Sequence, residues 1–290
     1  CPSWSMAQWC QQRLGLRPEV LRDLVAAPPA RLDNLAPERL AARAGRAVTL
    51  FHPEPEKGGL WFINLAAQMF KQAPGLRFVA VGGRWGPAQW QAAGVDLAAL
   101  PNLTWQPEPE PGARGALWQD AALLLVPSLG FEASVPVVAE GLLAGVPVLA
   151  MRSGGLPDQL NGGGFLFDIP LAMRGNFLNA PQVADLRPWV HYIRSLLLGP
   201  PALYREAVQL ALNASQAFAR ERTEPALYAA VDRCLARPEG WRPVPGVALP
   251  LLLPRAPLQA PFRLRVESTR SVPGHLHGLA QPVLVVQVRQ

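Results

Sequence analysis

AALLLVPSLGFEASVPVVAEGLLAGVPVLAM, residues 121–151, joins an apolar run, a polar loop, an amphipathic segment and a second apolar run. The first run, 121–128, reads as a strand that ends at Pro127-Ser128. Residues 136–144 read as a helix, since Pro136 suits a first helical turn, Gly145 a C-terminal stop, and Pro147 lies just beyond. The second run, 147–151, is again a strand. Strands that are apolar throughout show no face to water, so this strand–helix–strand unit implies a parallel pair covered on both sides.

The alternation continues outward. Before this stretch come AVTLF (47–51), a helix over 59–71, LRFVAVGG (76–83), a short helix near 87–93, NLTWQ (102–106) and a helical turn around 112–119. In the helix over 59–71, Leu60, Ile63, Leu65, Ala66, Met69 and Phe70 form one broad apolar face. After it comes GFLFD (164–168). Such repeated strand–helix units predict an α/β fold, a doubly wound parallel sheet over residues 46–180. Past residue 180 the strands stop, and helices are expected at 182–198 (strained or broken by Pro188), 201–221 and 224–236. Ahead of the sheet, 4–14 reads as a helix closed by Gly15, Val20–Leu21 as a brief extended piece, and 26–45 as a Pro/Ala-rich linker. The chain thus divides into 1–45, 46–180, 181–240 and a Pro-rich stretch, 241–290, that ends in an alternating PVLVVQV.

Composition narrows the function classes. Half of the 290 residues are hydrophobic, which excludes disorder throughout. No apolar run approaches the roughly 20 residues of a spanning helix. The net charge of +6 comes from arginine, as Lys57 and Lys71 are the only lysines. The arginines are scattered and not interleaved with aromatics, which argues against a nucleic-acid stripe. A basic face could still attract phosphates or an anionic membrane surface. Cys1, Cys10 and Cys234 form no Cys-x-x-Cys pair, which argues against structural zinc or a disulfide framework and suits a reducing cytoplasm. The opening Cys1-Pro2, without Met or signal segment, reads as cut from something longer.

A doubly wound sheet binds ligands beyond the carboxyl ends of its strands, so the loops there carry the chemistry. In HPEPEKGG (52–59) a lysine, Lys57, sits beside glycines that open a helix, an arrangement that favours a phosphate. In 127–147, Glu132 precedes a helix that contains Glu140; both can face one cleft if the loop folds back. Two carboxylates and a helix N-terminus suit a ligand with hydroxyls and a diphosphate. In RSGGLPD (152–158), Gly154 and Gly155 permit close backbone approach to a ligand.

HPEPEKG, VPS, the glutamate pair before AGVPV, and SGGLPD together resemble the family 4 (group 1) retaining glycosyltransferases, in order and spacing, over about residues 46–240. The resemblance implies the GT-B fold, two Rossmann-like domains with the donor held mainly by the second, which this chain would supply. Residues 2–25 resemble the last helix and strand of the first domain, and 201–236 the closing helices. By the resemblance, Lys57 neutralises the donor diphosphate, Glu132 is the catalytic-site carboxylate on the transferred sugar's hydroxyls, and Glu140 binds the ribose hydroxyls. Ser134 to Val137 occupy the helix start facing the phosphates. Three positions depart from the family: His52 stands for an arginine or asparagine, Ser134-Val135 for Phe-Gly, and Asp158 for a common glutamate.

The implied activity is retaining hexosyl transfer from a nucleotide-diphosphate sugar to a sugar, lipid-linked or small-molecule acceptor. No divalent metal or other cofactor is expected, because the chain has no Asp-x-Asp and no carboxylate cluster suited to Mg²⁺ or Mn²⁺. Rival readings are a non-catalytic nucleotide-sugar-binding module and a sugar-nucleotide epimerase. A nicotinamide or flavin dehydrogenase is rejected, because VGGRWG (81–86) lacks the Gly-x-Gly-x-x-Gly spacing. His191 reads as a packing residue, and the His275–His277 pair lacks a nearby carboxylate or thiol to complete a metal site.

Overall fold

Backbone pairing fixes the architecture. In the computed structural model, residues 1–25, 47–110 and 113–235 are described. The linker 26–45 and the stretch 241–290, with its PVLVVQV and His275–His277 pair, lie outside the described residues. β1 (Ala47–Phe51), β2 (Arg77–Val81), β3 (Leu103–Gln106), β4 (Ala121–Val126), β5 (Val148–Met151) and β6 (Gly164–Phe167) form one sheet in the order β3-β2-β1-β4-β5-β6. Every adjacent pair is parallel, with Thr49 opposite Val79 on one side and Leu124 on the other. This is the doubly wound order with its reversal between β1 and β4.

The strands are apolar throughout because both faces are covered. Alternate residues divide between two cores. Val48, Leu50, Leu123, Leu125 and Leu149 face α2 (Gly59–Gln72) and α7 (Val183–Leu197), where Trp61, Phe62, Leu65 and Trp189 pack. Phe51, Val79, Leu124, Val126 and Ala150 face the other way, onto Trp118 of α4 (Arg114–Asp120), Val138 and Leu142 of α5 (Pro136–Leu143), and Ala211 of α8 (Pro201–Ser215). Burying one such Leu or Phe contributes about 1.5–3 kcal/mol relative to exposure. The remaining helices are α1 (Trp4–Leu14), α3 (Pro87–Ala92), α6 (Leu156–Leu160) and α9 (Arg220–Leu235). None of the described helices is long and apolar enough to cross a membrane.

Three local expectations change. α7 runs unbroken through Pro188. Pro188 and Ala184 lie on the exposed side, while Leu186, Trp189 and Ile193 anchor the opposite face, so the lost hydrogen bond falls in solvent. The break between the last two helices comes earlier than the sequence suggests. α8 stops at Ser215, a 3₁₀ turn over Gln216–Phe218 buries Phe218, and α9 begins at Arg220 with Pro225 inside it. Val20–Leu21 does not form a strand; it lies in irregular chain, where the Leu21 amide donates to the Cys1 carbonyl at 2.8 Å.

Residues 1–25 pack on the same body as the sheet. Ser3 caps α1, and the Ser5 amide and hydroxyl both donate to Asp158 Oδ2, at 3.0 and 3.2 Å. Arg22 donates to the Asp158 carbonyl and lies over the Phe218 ring. Arg233 of α9 reaches both carboxylate oxygens of Glu19, at 2.6 and 2.8 Å. Cys1–Arg233 accordingly forms one compact unit.

Candidate functional site

At the reversal of strand order, the loops after β1 and β4 meet. The loop after β1 contains a 3₁₀ turn, Pro55–Lys57, and ends at Gly58, where a Cβ would stand 2.1 Å from the Pro127 carbonyl oxygen. The Leu129 and Gly130 amides both donate to the Glu56 carbonyl, at 2.9 and 3.0 Å. Zipped together in this way, the loops bring two residues 75 positions apart into contact: Lys57 Nζ donates to both oxygens of Glu132 at 2.7 Å. The carboxylate is almost wholly buried and the lysine about one-third exposed.

Glu132 is held from behind by the loop after β5. The Gly155 amide donates to the Glu132 carbonyl at 2.6 Å. Gly154 has φ +49°, and a Cβ there would lie 2.0 Å from that same carbonyl oxygen. The close approach that Gly154 and Gly155 permit is therefore made by the main chain of Glu132 and Ala133. The Ser153 hydroxyl donates to the Gly130 carbonyl.

Ser134 and Val135 lie at the start of α5, with Val135 as its N-cap. Their polar groups are engaged by protein. The Ser134 hydroxyl donates to Asp23, Gln159 Nε2 donates to Ser134 Oγ at 2.9 Å and to Asp23 Oδ2 at 3.2 Å, and Gln159 Oε1 accepts the Val135 amide at 2.9 Å. Gln159 is fully buried, so its amide satisfies these groups where water does not reach. The Val135 amide points to Gln159 rather than to an open cleft.

Glu140 belongs to a second network. Arg114 Nη1 donates to its Oε1 at 2.7 Å, and Trp118 Nε1 to its Oε2 at 3.2 Å. The other arm of Arg114, Nη2, holds Glu108 Oε1 at 2.5 Å, and Glu108 Oε2 lies 2.9 Å from His52 Nε2. His52 is one of the described residues at positive φ, +54°, with its amide donating to the Val81 carbonyl at 2.8 Å. The expected residues thus gather into two paired sets, Lys57 with Glu132 and, through Glu108 and Arg114, His52 with Glu140. Among the described residues no group of three or more potential metal ligands is found.

Sequence reasoning missed Arg114, Trp118, Glu108, Gln159 and Asp23. The i, i+4 spacing of Arg114 and Trp118 places both on one helix face but does not say what that face meets. Asp23 carried none, because its partners lie 111 and 136 positions away.

A doubly wound parallel sheet in this strand order defines a Rossmann-like domain. Residues 46–175 match the family model described as glycosyl transferases group 1. D-inositol 3-phosphate glycosyltransferase of Segniliparus rotundus is 30% identical over 145 residues, which cover 47% of this chain and 31% of the relative. The chain thus spans under a third of the curated relative that it matches. Among solved structures, Anabaena Alr3699/HepE in complex with UDP and glucose superposes with TM-score 0.58 at 16% identity, covering 81% of this chain and 62% of that one. Sucrose-phosphate synthase from Thermosynechococcus elongatus gives TM-score 0.58 at 19% identity, covering 81% and 57%. The chain shares their α/β, Rossmann-like fold over that span.

Proposed function

We propose that this chain holds a nucleotide-diphosphate sugar for retaining hexosyl transfer, with Lys57 on the diphosphate, Glu132 on the sugar and Glu140 on the ribose. The observation that carries the reading is the Lys57–Glu132 pair at the switch point. An ammonium has three donors, and two of Lys57's reach Glu132, leaving a third for a phosphate oxygen. Each Glu132 oxygen keeps a second lone pair for a sugar hydroxyl.

In the transfer, the bond from the anomeric carbon to the diphosphate oxygen breaks and its electron pair leaves with the diphosphate. The acceptor oxygen bonds on the same face, and its hydroxyl proton passes to the departing diphosphate oxygen. Lys57 offsets the charge gathering on the leaving group, which is where a fixed cation lowers a barrier. Relatives support the donor class: the Anabaena protein of similar fold is described in complexes with UDP and with UDP-glucose. The acceptor is a sugar, a lipid-linked saccharide or a small molecule, and the protein works in the cytoplasm without a divalent metal.

Isothermal titration of the chain with UDP-, GDP- and ADP-sugars, with and without EDTA, tests this reading. Binding of one donor series that EDTA leaves intact is expected. Binding of none of the three overturns the reading, and binding lost to EDTA and restored by Mn²⁺ overturns its metal-free part.

A further inference from the structure

Glu140 is held more completely than a surface carboxylate on a helix needs to be. Each of its oxygens has its own donor, Arg114 Nη1 at 2.7 Å on one and Trp118 Nε1 at 3.2 Å on the other. Two donors on two oxygens fix the plane of the carboxylate as well as its position. The donors are themselves fixed. Arg114 and Trp118 are one turn apart on α4; the Trp118 ring lies 5.2 Å from that of Phe51, and the guanidinium carbon stands 6.0 Å from the Phe51 centroid. Arg114 has a second anchor in Glu108, at 2.5 Å. On α5, Gly141 leaves room for the indole, since a Cβ there would already stand 3.3 Å from Trp118.

We propose that Arg114 and Trp118 are positioning residues that preset Glu140 to accept both hydroxyls of a ribose 2′,3′-diol. This rests on the donor reading above, in which Glu140 meets the ribose. A carboxylate offers about four acceptor sites. Two are taken by Arg114 and Trp118, and two remain, one on each oxygen, matching the two donors of a vicinal diol. Arg114 also keeps Glu140 charge-paired, so the nucleotide meets a carboxylate whose charge is offset rather than a free anion beside its diphosphate. The fork sets the geometry: the two arms of one rigid planar group reach Glu108 and Glu140, whereas an ammonium is a point charge on a flexible stem.

The test is titration of the full chain with UDP, GDP and ADP, each beside its 2′,3′-dideoxy counterpart, in the unaltered protein and in Trp118→Phe and Arg114→Lys. Trp118→Phe keeps the ring packing and removes only the N–H; Arg114→Lys keeps the charge and removes the fork. The unaltered chain is expected to prefer the ribonucleotide. Trp118→Phe lowers that affinity about fivefold, the effect of roughly one hydrogen bond, and Arg114→Lys about tenfold. Neither changes dideoxynucleotide affinity more than about twofold, so the preference shrinks. An unchanged ribo-to-dideoxy ratio in both variants overturns the inference while leaving the donor reading standing. Equal weakening of both nucleotides, with a lowered unfolding midpoint, overturns it in favour of a packing role. If the unaltered chain binds no nucleoside diphosphate, the donor reading fails and the inference with it.

Discussion

Two ion pairs stand at opposite ends of the same sheet. At the amino end, Arg77 at the start of β2 holds both oxygens of Asp120, just before β4, at 2.8 and 3.0 Å, with both side chains about half exposed. At the carboxyl end, Lys57 holds both oxygens of Glu132 at 2.7 Å, with the carboxylate about 5% exposed. The geometries are alike and the environments are not. An exposed pair is solvated whether made or broken and contributes roughly 0–1 kcal/mol. A buried carboxylate has given up its water, and its attraction to a partner does little more than offset that loss. Fold stability alone does not account for the pair at the carboxyl end, where three loops converge to hold it. The donor proposed for this site would use both charges.

The comparison can be broken most severely at Gly154. A side chain there meets the Glu132 main chain, the carbonyl oxygen at 2.0 Å and the nitrogen at 2.8 Å, with φ at +49°. Gly154→Val should destabilise the chain by about 3 kcal/mol or more and abolish nucleoside diphosphate binding. A variant with an unchanged thermal midpoint and intact binding shows that this loop does not support Glu132.

Lys57 comes next. Lys57→Ala leaves Glu132 buried without its counter-charge, and nucleoside diphosphate affinity should fall by about 1–3 kcal/mol with nucleoside affinity nearly unchanged. Urea unfolding should show lost stability as well. Replacing both partners, Lys57→Met with Glu132→Leu, should return stability to within about 1 kcal/mol of the unaltered chain, because no buried charge is stranded. Binding should not return. Recovery of both together contradicts the assignment of this pair to a ligand.

The smallest effect is expected at the amino end. Arg77→Ala or Asp120→Ala should change stability by less than about 1 kcal/mol and leave nucleotide affinity alone. A loss as large as that of Lys57→Ala erases the distinction between the two ends.

What could be read from sequence follows the reach of the interactions. AALLLV and PVLAM announce buried parallel strands because hydrophobic pattern is local, and Pro136 and Gly145 bracket a helix for local reasons too. Lys57, Glu132 and Glu140 stand out because they are charged residues in loops and helix starts of otherwise apolar units. Their partners do not. Nothing in GARGALWQD (112–120) says that its arginine bridges Glu108 and Glu140, because sheet order decides which loops adjoin. Pro188 misled for a related reason: its cost depends on which helix face is wet, and tertiary packing determines that.

The docking of residues 1–25 has a consequence for the order of assembly. Ser5 is tied to Asp158 across 153 positions, Asp23 to Ser134 across 111, and Glu19 to Arg233 across 214. Contacts of such separation close late, since the intervening chain must first give up its freedom. During synthesis this segment emerges before every element that it finally touches. α1, 11 residues long, is too short to be stable by itself in water. The segment's contacts with α6 and the end of α9 therefore wait until those elements have been made. The piece of this unit made first is among the last to settle, and until it does Asp158 lacks Ser5 and Arg22, while Gln159 and, at the start of α5, Ser134 lack Asp23.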